Sequence, residues 1–141
     1  YPDSEPVENG PLKPVMTLKA RVSQVRNLPK GATVSYGRTY RAEEGITSAV
    51  IPAGYADGYP RRLSNMGKVF INGKAYNQIG RICMDVCMAD VTGGDVRQGD
   101  EAILFGRGGM SIEAVAQIVG TINYELTCLV TERANRVYVN N

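Results

Sequence analysis

Glycine and proline interrupt this chain at short intervals, and that spacing limits its folding more than any single motif does. Sixteen glycines and seven prolines are scattered through 141 residues instead of being pooled in one linker. The chain is therefore cut into short elements joined by turns. Between the cuts the pattern is mostly that of strands. Met16, Leu18, Ala20 and Val22 alternate with Thr17, Lys19, Arg21 and Ser23, a period of two that gives one apolar face. Asn27 to Gly31, with Pro29 inside it, breaks the pattern, and Ala32 to Tyr40 resumes in an extended style that ends at Glu43 to Gly45. Thr47 to Ile51 reads as a strand stopped by Pro52. The following AGYADGYPRR, Ala53 to Arg62, holds too many turn residues for either regular state.

Lys68 to Ile71 and Ala75 to Ile79 flank Asn72-Gly73, the dipeptide that best tolerates the positive φ angles of a tight hairpin. Arg81 to Val91 (RICMDVCMADV) and Glu101 to Phe105 are apolar runs suited to buried strands, and Val137 to Val139 reads as a last one. A helix is expected at about 111–119, with Ser111 as N-cap, Ile112, Val115, Ala116 and Val119 on one face, and Gly120 as the stop. Seven or eight short strands with one late helix predict a mainly β fold: a small antiparallel, Greek-key-like β-barrel, closed or nearly so.

The length suits one domain with its own core. With 43% hydrophobic and 21% charged residues the composition is globular. Sixteen basic and 14 acidic residues nearly balance, at a net charge of +2, and the basic ones form no run, so neither a nucleic-acid nor a membrane footprint is expected. No apolar stretch approaches the roughly 20 residues that span a bilayer. The opening YPDSEPVENG has neither the basic nor the apolar region of a signal peptide. Its Pro-rich, acidic character reads instead as residues 1–11 of a linker from an upstream domain, with the folded domain at 12–141. Cys83, Cys87 and Cys128 are odd in number and form no C-x-x-C pair, which fits a reducing compartment. Cys83 and Cys87 are expected to share one strand face as small core residues. With no histidine in the chain, no metal site is expected, and Ser-His-Asp and Cys-His catalysis are excluded within it.

Chemistry is suggested by tyrosines beside glycines: Tyr36-Gly37, Gly54-Tyr55 and Gly58-Tyr59. Glycine admits a ligand or another backbone at close range. Such a tyrosine either packs its ring and hydrogen-bonds its hydroxyl, or serves as a base. A phenol of pKa about 10 needs a nearby cation or hydrogen bond before it accepts a proton at neutral pH. Arg38, Arg41, Arg61, Arg62 and Arg81 are the candidates to supply the charge.

Taken together, VSYGRTY (Val34 to Tyr40), AGYADGYPRR, GRICMD (Gly80 to Asp85) and INYE (Ile122 to Glu125) resemble the C-terminal β-domain of alanine racemases, in order and at close to the family's spacing. The resemblance runs from about Leu12 onward. It implies a two-domain isomerase, whose N-terminal α/β barrel carries pyridoxal 5'-phosphate on a lysine. It also implies a head-to-tail homodimer, in which the β-domain of one subunit closes the site in its partner's barrel. Racemisation of alanine needs one base on each face of Cα, and by its match Tyr36 is the base opposite the cofactor lysine. The same comparison puts Tyr124 on the cofactor phosphate, the Met84 N–H on the substrate carboxylate and Tyr55 at the substrate end. Arg61, Arg81, Asp85 and Ile122 would line the access channel. The implied product is D-alanine for peptidoglycan, made in the cytoplasm, and the domain alone would be inactive. RANR (Arg133 to Arg136) departs from the family, which often has a proline before the second arginine, and no catalytic role is expected there. Two alternatives remain: a serine/alanine racemase of the glycopeptide-resistance type, against which the bulk of Tyr124 speaks, and a stand-alone β-barrel binding module whose tyrosines stack on single-stranded nucleic acid.

Overall fold

The computed structural model describes residues 14–139, and the linker expected at 1–11 lies outside the described residues. Among the described residues the strands are β1 (Leu18–Arg21), β2 (Gln24–Leu28), β3 (Thr33–Val34), β4 (Tyr40–Arg41), β5 (Ile46–Ile51), β6 (Lys68–Ile71), β7 (Lys74–Ile79), β8 (Cys87–Asp90) and β9 (Glu101–Phe105). Two helices follow, α1 (Ile112–Val119) and α2 (Asn123–Cys128). Seven strands form one antiparallel sheet in the order β1-β9-β6-β7-β8-β5-β2, and β3 and β4 form a separate ribbon.

The two edge strands of that sheet, β1 and β2, are separated in sequence only by Val22 and Ser23. A flat sheet of this width would put its edges about 29 Å apart, at about 4.8 Å per strand, whereas three Cα steps reach about 11 Å. The sheet therefore curls until its edges approach. The corner is fastened to both flanks: the Val22 N–H donates to the Asp100 carbonyl at 2.8 Å, beside β9, and the Ser23 N–H to the Val50 carbonyl of β5 at 2.9 Å. Inside the curl, Ala49, Ile51, Val69, Ile71, Cys87, Ala89, Ala102 and Leu104 are fully buried.

Local chemistry sets the elements as expected in three places. Asn72 (φ 52°) and Gly73 (φ 74°) turn the β6–β7 hairpin. Ser111 Oγ accepts the Ala114 N–H at 3.1 Å and starts α1, while Gly120, at φ 74°, returns its N–H to Ala116 and ends it. Val115, Ala116 and Val119 form the buried face of that helix, and the Arg62 guanidinium donates to the terminal Val119 carbonyl at 2.9 Å.

Four features differ from the sequence reading. The run Arg81 to Val91 is not one strand: residues 81–86 form a turn and pairing begins at Cys87. Gly80 (φ 73°) redirects the chain, and the carbonyls of Cys83 and Met84 bond to Tyr55 and Ala56 N–H groups outside the ladder. Cys83 consequently shares no strand face with Cys87. The stretch Ala32 to Tyr40 is broken by a 3-10 turn at Tyr36–Arg38, where Ser35, Gly37 and Arg38 all have positive φ. α2 was not foreseen, because six residues are too few for a 3.6-residue period to show. Val137 to Val139 forms no strand and is exposed.

Asp100 ties the loop before β9 to the β6–β7 hairpin. Its Oδ2 accepts the Arg97 N–H and the Asn72 side-chain amide, each at 2.9 Å. The Arg97 N–H first, and then Asn72, hold this carboxyl below its ordinary value. A carboxyl lowered in the folded state contributes stability above its unfolded pKa of about 4 and loses it as the pH falls through the folded value. Thermal unfolding between pH 5 and pH 3 should show a shallower decline of Tm for Asp100→Asn than for the wild type. Equal slopes would remove Asp100 from the acid sensitivity of the fold.

Candidate active-site groove

The antiparallel register Ile51↔Cys87 sets the loop leaving β5 beside the turn entering β8. Gly54 lets the two touch. A Cβ at Gly54 would stand 2.2 Å from the Cys83 carbonyl oxygen and 2.4 Å from that of Met84, so only hydrogen fits there. Across this contact the Tyr55 N–H donates to the Cys83 carbonyl at 3.1 Å and the Ala56 N–H to the Met84 carbonyl at 3.0 Å. Asp57 closes the turn by accepting the Gly54 N–H at 2.9 Å.

These bonds fix the orientation of the Met84 amide. In a trans peptide the C=O and N–H point opposite ways. With the Cys83 carbonyl held by Tyr55, the Met84 N–H is directed away from the 54–56 turn, and it has no hydrogen-bond partner among the described residues.

The Tyr36 turn docks against the same segment from the other side. Ser35 Oγ donates to the Arg81 carbonyl at 2.6 Å and lies 3.3 Å from Cys83 Sγ. A Cβ on Gly80 would meet Val34 at 2.9 Å, and one on Gly37 would meet the Arg81 guanidinium carbon at 3.2 Å. Tyr36 is left 76% exposed, its ring standing clear of the core. The result is an open groove of about 490 Å³ lined by Tyr36, Tyr55, Cys83, Met84, Asp85 and Val86.

Of the residues singled out in the sequence, Tyr36, Tyr55, Met84 and Asp85 meet in this groove. Arg81 flanks it through its contact with Gly37. Arg61, Ile122 and Tyr124 are not among its walls: Arg61 is exposed on the 3-10 turn Arg61–Leu63, and Ile122 and Tyr124 are exposed at the start of α2. Tyr59 is a core residue. Its ring is fully buried, burial pushes its hydroxyl pKa far up, and Gly67 leaves room for the oxygen. Burial likewise pushes the Cys87 thiol up, in keeping with the small-core-residue reading, whereas Cys83 is part of the groove wall.

Sequence reasoning missed Asp57, Thr131 and Arg133. Arg133 forms ion pairs with Asp57, at 3.2 Å, and with Asp85, and its pKa is raised chiefly by the Asp85 hydrogen bond. Thr131 Oγ1 donates to the Ala56 carbonyl at 2.6 Å. Asp57 lies inside AGYADGYPRR and Arg133 in RANR, but the sequence assigns neither a site role, and no spacing joins them to Thr131; the three come together only in the fold.

The groove is lined by two phenols, a carboxylate, a thiol and Met84, whose backbone N–H has no hydrogen-bond partner among the described residues, and its walls contain no amine. This donor set suits the binding of a small carboxylate and proton transfer at an exposed phenol, but it does not fit covalent attachment of an aldehyde cofactor. Among the described residues no cluster of His, Cys, Asp and Glu could hold a metal ion, and no helix is long and apolar enough to cross a membrane.

The fold is that of a small β-domain, a curled antiparallel sheet with an open groove at one rim. Residues 15–138 match the family model described as alanine racemase, C-terminal domain, and the chain belongs to that family. Alanine racemase of Clostridium perfringens is 49% identical over the whole chain, and that of Carboxydothermus hydrogenoformans 49% over 99% of it. The chain spans about 38% of the length of such curated relatives. Among solved structures, alanine racemase of Clostridium difficile 630 in complex with cycloserine superposes with a TM-score of 0.87, at 41% identity, over 92% of this chain and 35% of that one. Alanine racemase of Bartonella henselae with covalently bound pyridoxal phosphate gives 0.83 at 34% identity, over 87% and 34%. The mainly β, antiparallel fold expected from the sequence as a small barrel is the fold shared with these proteins, in the form of a curled sheet with two short helices.

Gly54→Ala should separate the 54–57 turn from the Cys83–Met84 peptide, because backbone atoms cannot give way as a flexible side chain can. A loss of about 1–3 kcal/mol in urea unfolding is expected, as for other overpacked sites. A variant as stable as the wild type would contradict the contact.

Proposed function

We propose that this chain is the C-terminal domain of a longer isomerase that interconverts L- and D-alanine with pyridoxal 5'-phosphate, and that its groove forms one wall of the active site. The observation that carries the reading is the pairing, on one open groove, of an exposed phenol, Tyr36, with an unpartnered backbone N–H at Met84. Pyridoxal phosphate supplies the electron sink that makes the Cα proton removable. Held mainly by an N-terminal barrel, it would leave this chain the tasks of binding, orienting and moving a proton.

In that division Tyr36 Oη exchanges a proton with one face of Cα while the cofactor lysine serves the other. The Met84 N–H receives the substrate carboxylate, and Tyr55 closes the substrate end. Tyr124, exposed on α2, takes the cofactor phosphate and narrows the pocket beside the Cα substituent. Asp85, in the groove wall, and Arg61, Arg81 and Ile122, outside it or flanking it, belong to the access channel. Because Tyr36 stands clear of its own domain, the cationic surroundings its phenol needs come from Arg81 and from the barrel of a second subunit in a head-to-tail homodimer. The whole enzyme would act in the cytoplasm and supply D-alanine for peptidoglycan, and the β-domain alone would be inactive.

The test uses the full-length protein loaded with pyridoxal phosphate. L-Alanine should be converted to D-alanine in preference to L-serine. Tyr36→Phe should lower that rate by roughly 10²–10⁴-fold, the usual contribution of a general acid–base group, with the cofactor absorbance retained. A preference for serine, or no racemisation by the wild type, would overturn the proposal.

A further inference from the structure

We propose that Arg133 is a positioning residue for substrate carboxylate binding. By bridging Asp57 and Asp85 it holds the Met84 N–H at the angle the carboxylate requires. The inference rests on the carboxylate role of Met84 proposed above.

The geometry is a closed chain of contacts. Arg133 Nε pairs with Asp57 Oδ1 at 3.2 Å, and its Nη2 pairs with Asp85 Oδ1. Asp57, whose side chain is largely buried, uses its other oxygen to accept the Gly54 N–H at 2.9 Å. Gly54 lies directly on the Cys83–Met84 peptide, and the Tyr55 and Ala56 N–H groups hold the carbonyls of Cys83 and Met84. Asp85, next in sequence to Met84, returns to the same guanidinium. One planar cation thus clamps both sides of the segment that carries the Met84 N–H. Thr131 secures the arginine's own segment, through its Oγ1 on the Ala56 carbonyl and through the Arg133 N–H, which donates to that oxygen at 3.3 Å.

An isolated exposed ion pair holds little. Arg133 differs because its fork engages two carboxylates from separate loops, a task for which the three-donor point charge of lysine is poorly shaped. Tyr36 is fixed independently, through Ser35 on the Arg81 carbonyl and the close approach of Gly80 to Val34. Loss of Arg133 should therefore weaken carboxylate binding while leaving the proton-transfer group in place.

The experiment follows the Met84 amide by NMR in the full-length, cofactor-loaded enzyme labelled with ¹⁵N-methionine, with Met84→Leu giving the assignment and acetate as the carboxylate probe. Acetate should shift the Met84 amide of the wild type. Arg133→Ala should need about ten-fold more acetate, within the hundred-fold that a 1 Å misplacement costs, and Arg133→Lys should recover part of the loss. In turnover, Arg133→Ala should raise KM for L-alanine by a similar factor and change kcat little. If Arg133→Ala does not fold, Asp57→Asn, which removes the same pairing without changing shape, should show the same shift. A folded variant that titrates like the wild type overturns the inference, as does a wild-type Met84 amide that ignores acetate. A wild type that binds acetate at Met84 in an Arg133-dependent way but racemises nothing would keep the inference and remove the proposed reaction.

Discussion

The link of only Val22 and Ser23 between the two edge strands is the constraint on which the rest of the structure depends. It forces the seven-stranded sheet to curl, and the curl encloses the apolar faces of β5 to β9 as one core. Within that sheet, the register of β5 against β8 sends the loop after Ile51 and the turn before Cys87 out at the same end. Segments far apart in sequence thereby meet at one rim, where glycines at positions 54 and 80 permit close approaches that a side chain would prevent and Gly37 lies against the Arg81 guanidinium. The groove follows from this arrangement of turns, and its free amide results from carbonyls being used elsewhere.

Much of the fold was legible in the sequence because its signals are local. The alternation from Met16 to Val22, the Asn72-Gly73 turn and the Ser111 to Gly120 helix each depend on residues within one element. The failures also have physical causes. Arg81 to Val91 looks like one buried strand because its apolar residues are continuous, yet the first six serve a turn whose hydrogen bonds go to Tyr55 and Ala56, distant in sequence. Val137 to Val139 has the composition of a strand but finds no strand to pair with among the described residues.

The site divides in the same way. Tyr36, Tyr55, Met84 and Asp85 were found through motifs, and they converge on one groove. Met84 would not be chosen from its side chain, since what it offers is a backbone N–H freed by the bonding of its neighbours. Asp57, though inside AGYADGYPRR, and Arg133 and Thr131 had no sequence signal for a shared role, and their importance lies in contacts made only after folding.

The central claim is that Tyr36 serves one face of Cα and a group outside this chain serves the other. Its most direct test is solvent deuterium wash-in at Cα, measured separately for L- and D-alanine, in the full-length enzyme with pyridoxal phosphate and with Tyr36→Phe. With two bases, the variant should still exchange the Cα proton of one enantiomer, by the remaining base, and lose exchange of the other together with interconversion. Equal reduction of exchange in both enantiomers, with racemisation persisting in proportion, would mean that a single group serves both faces and would contradict the account.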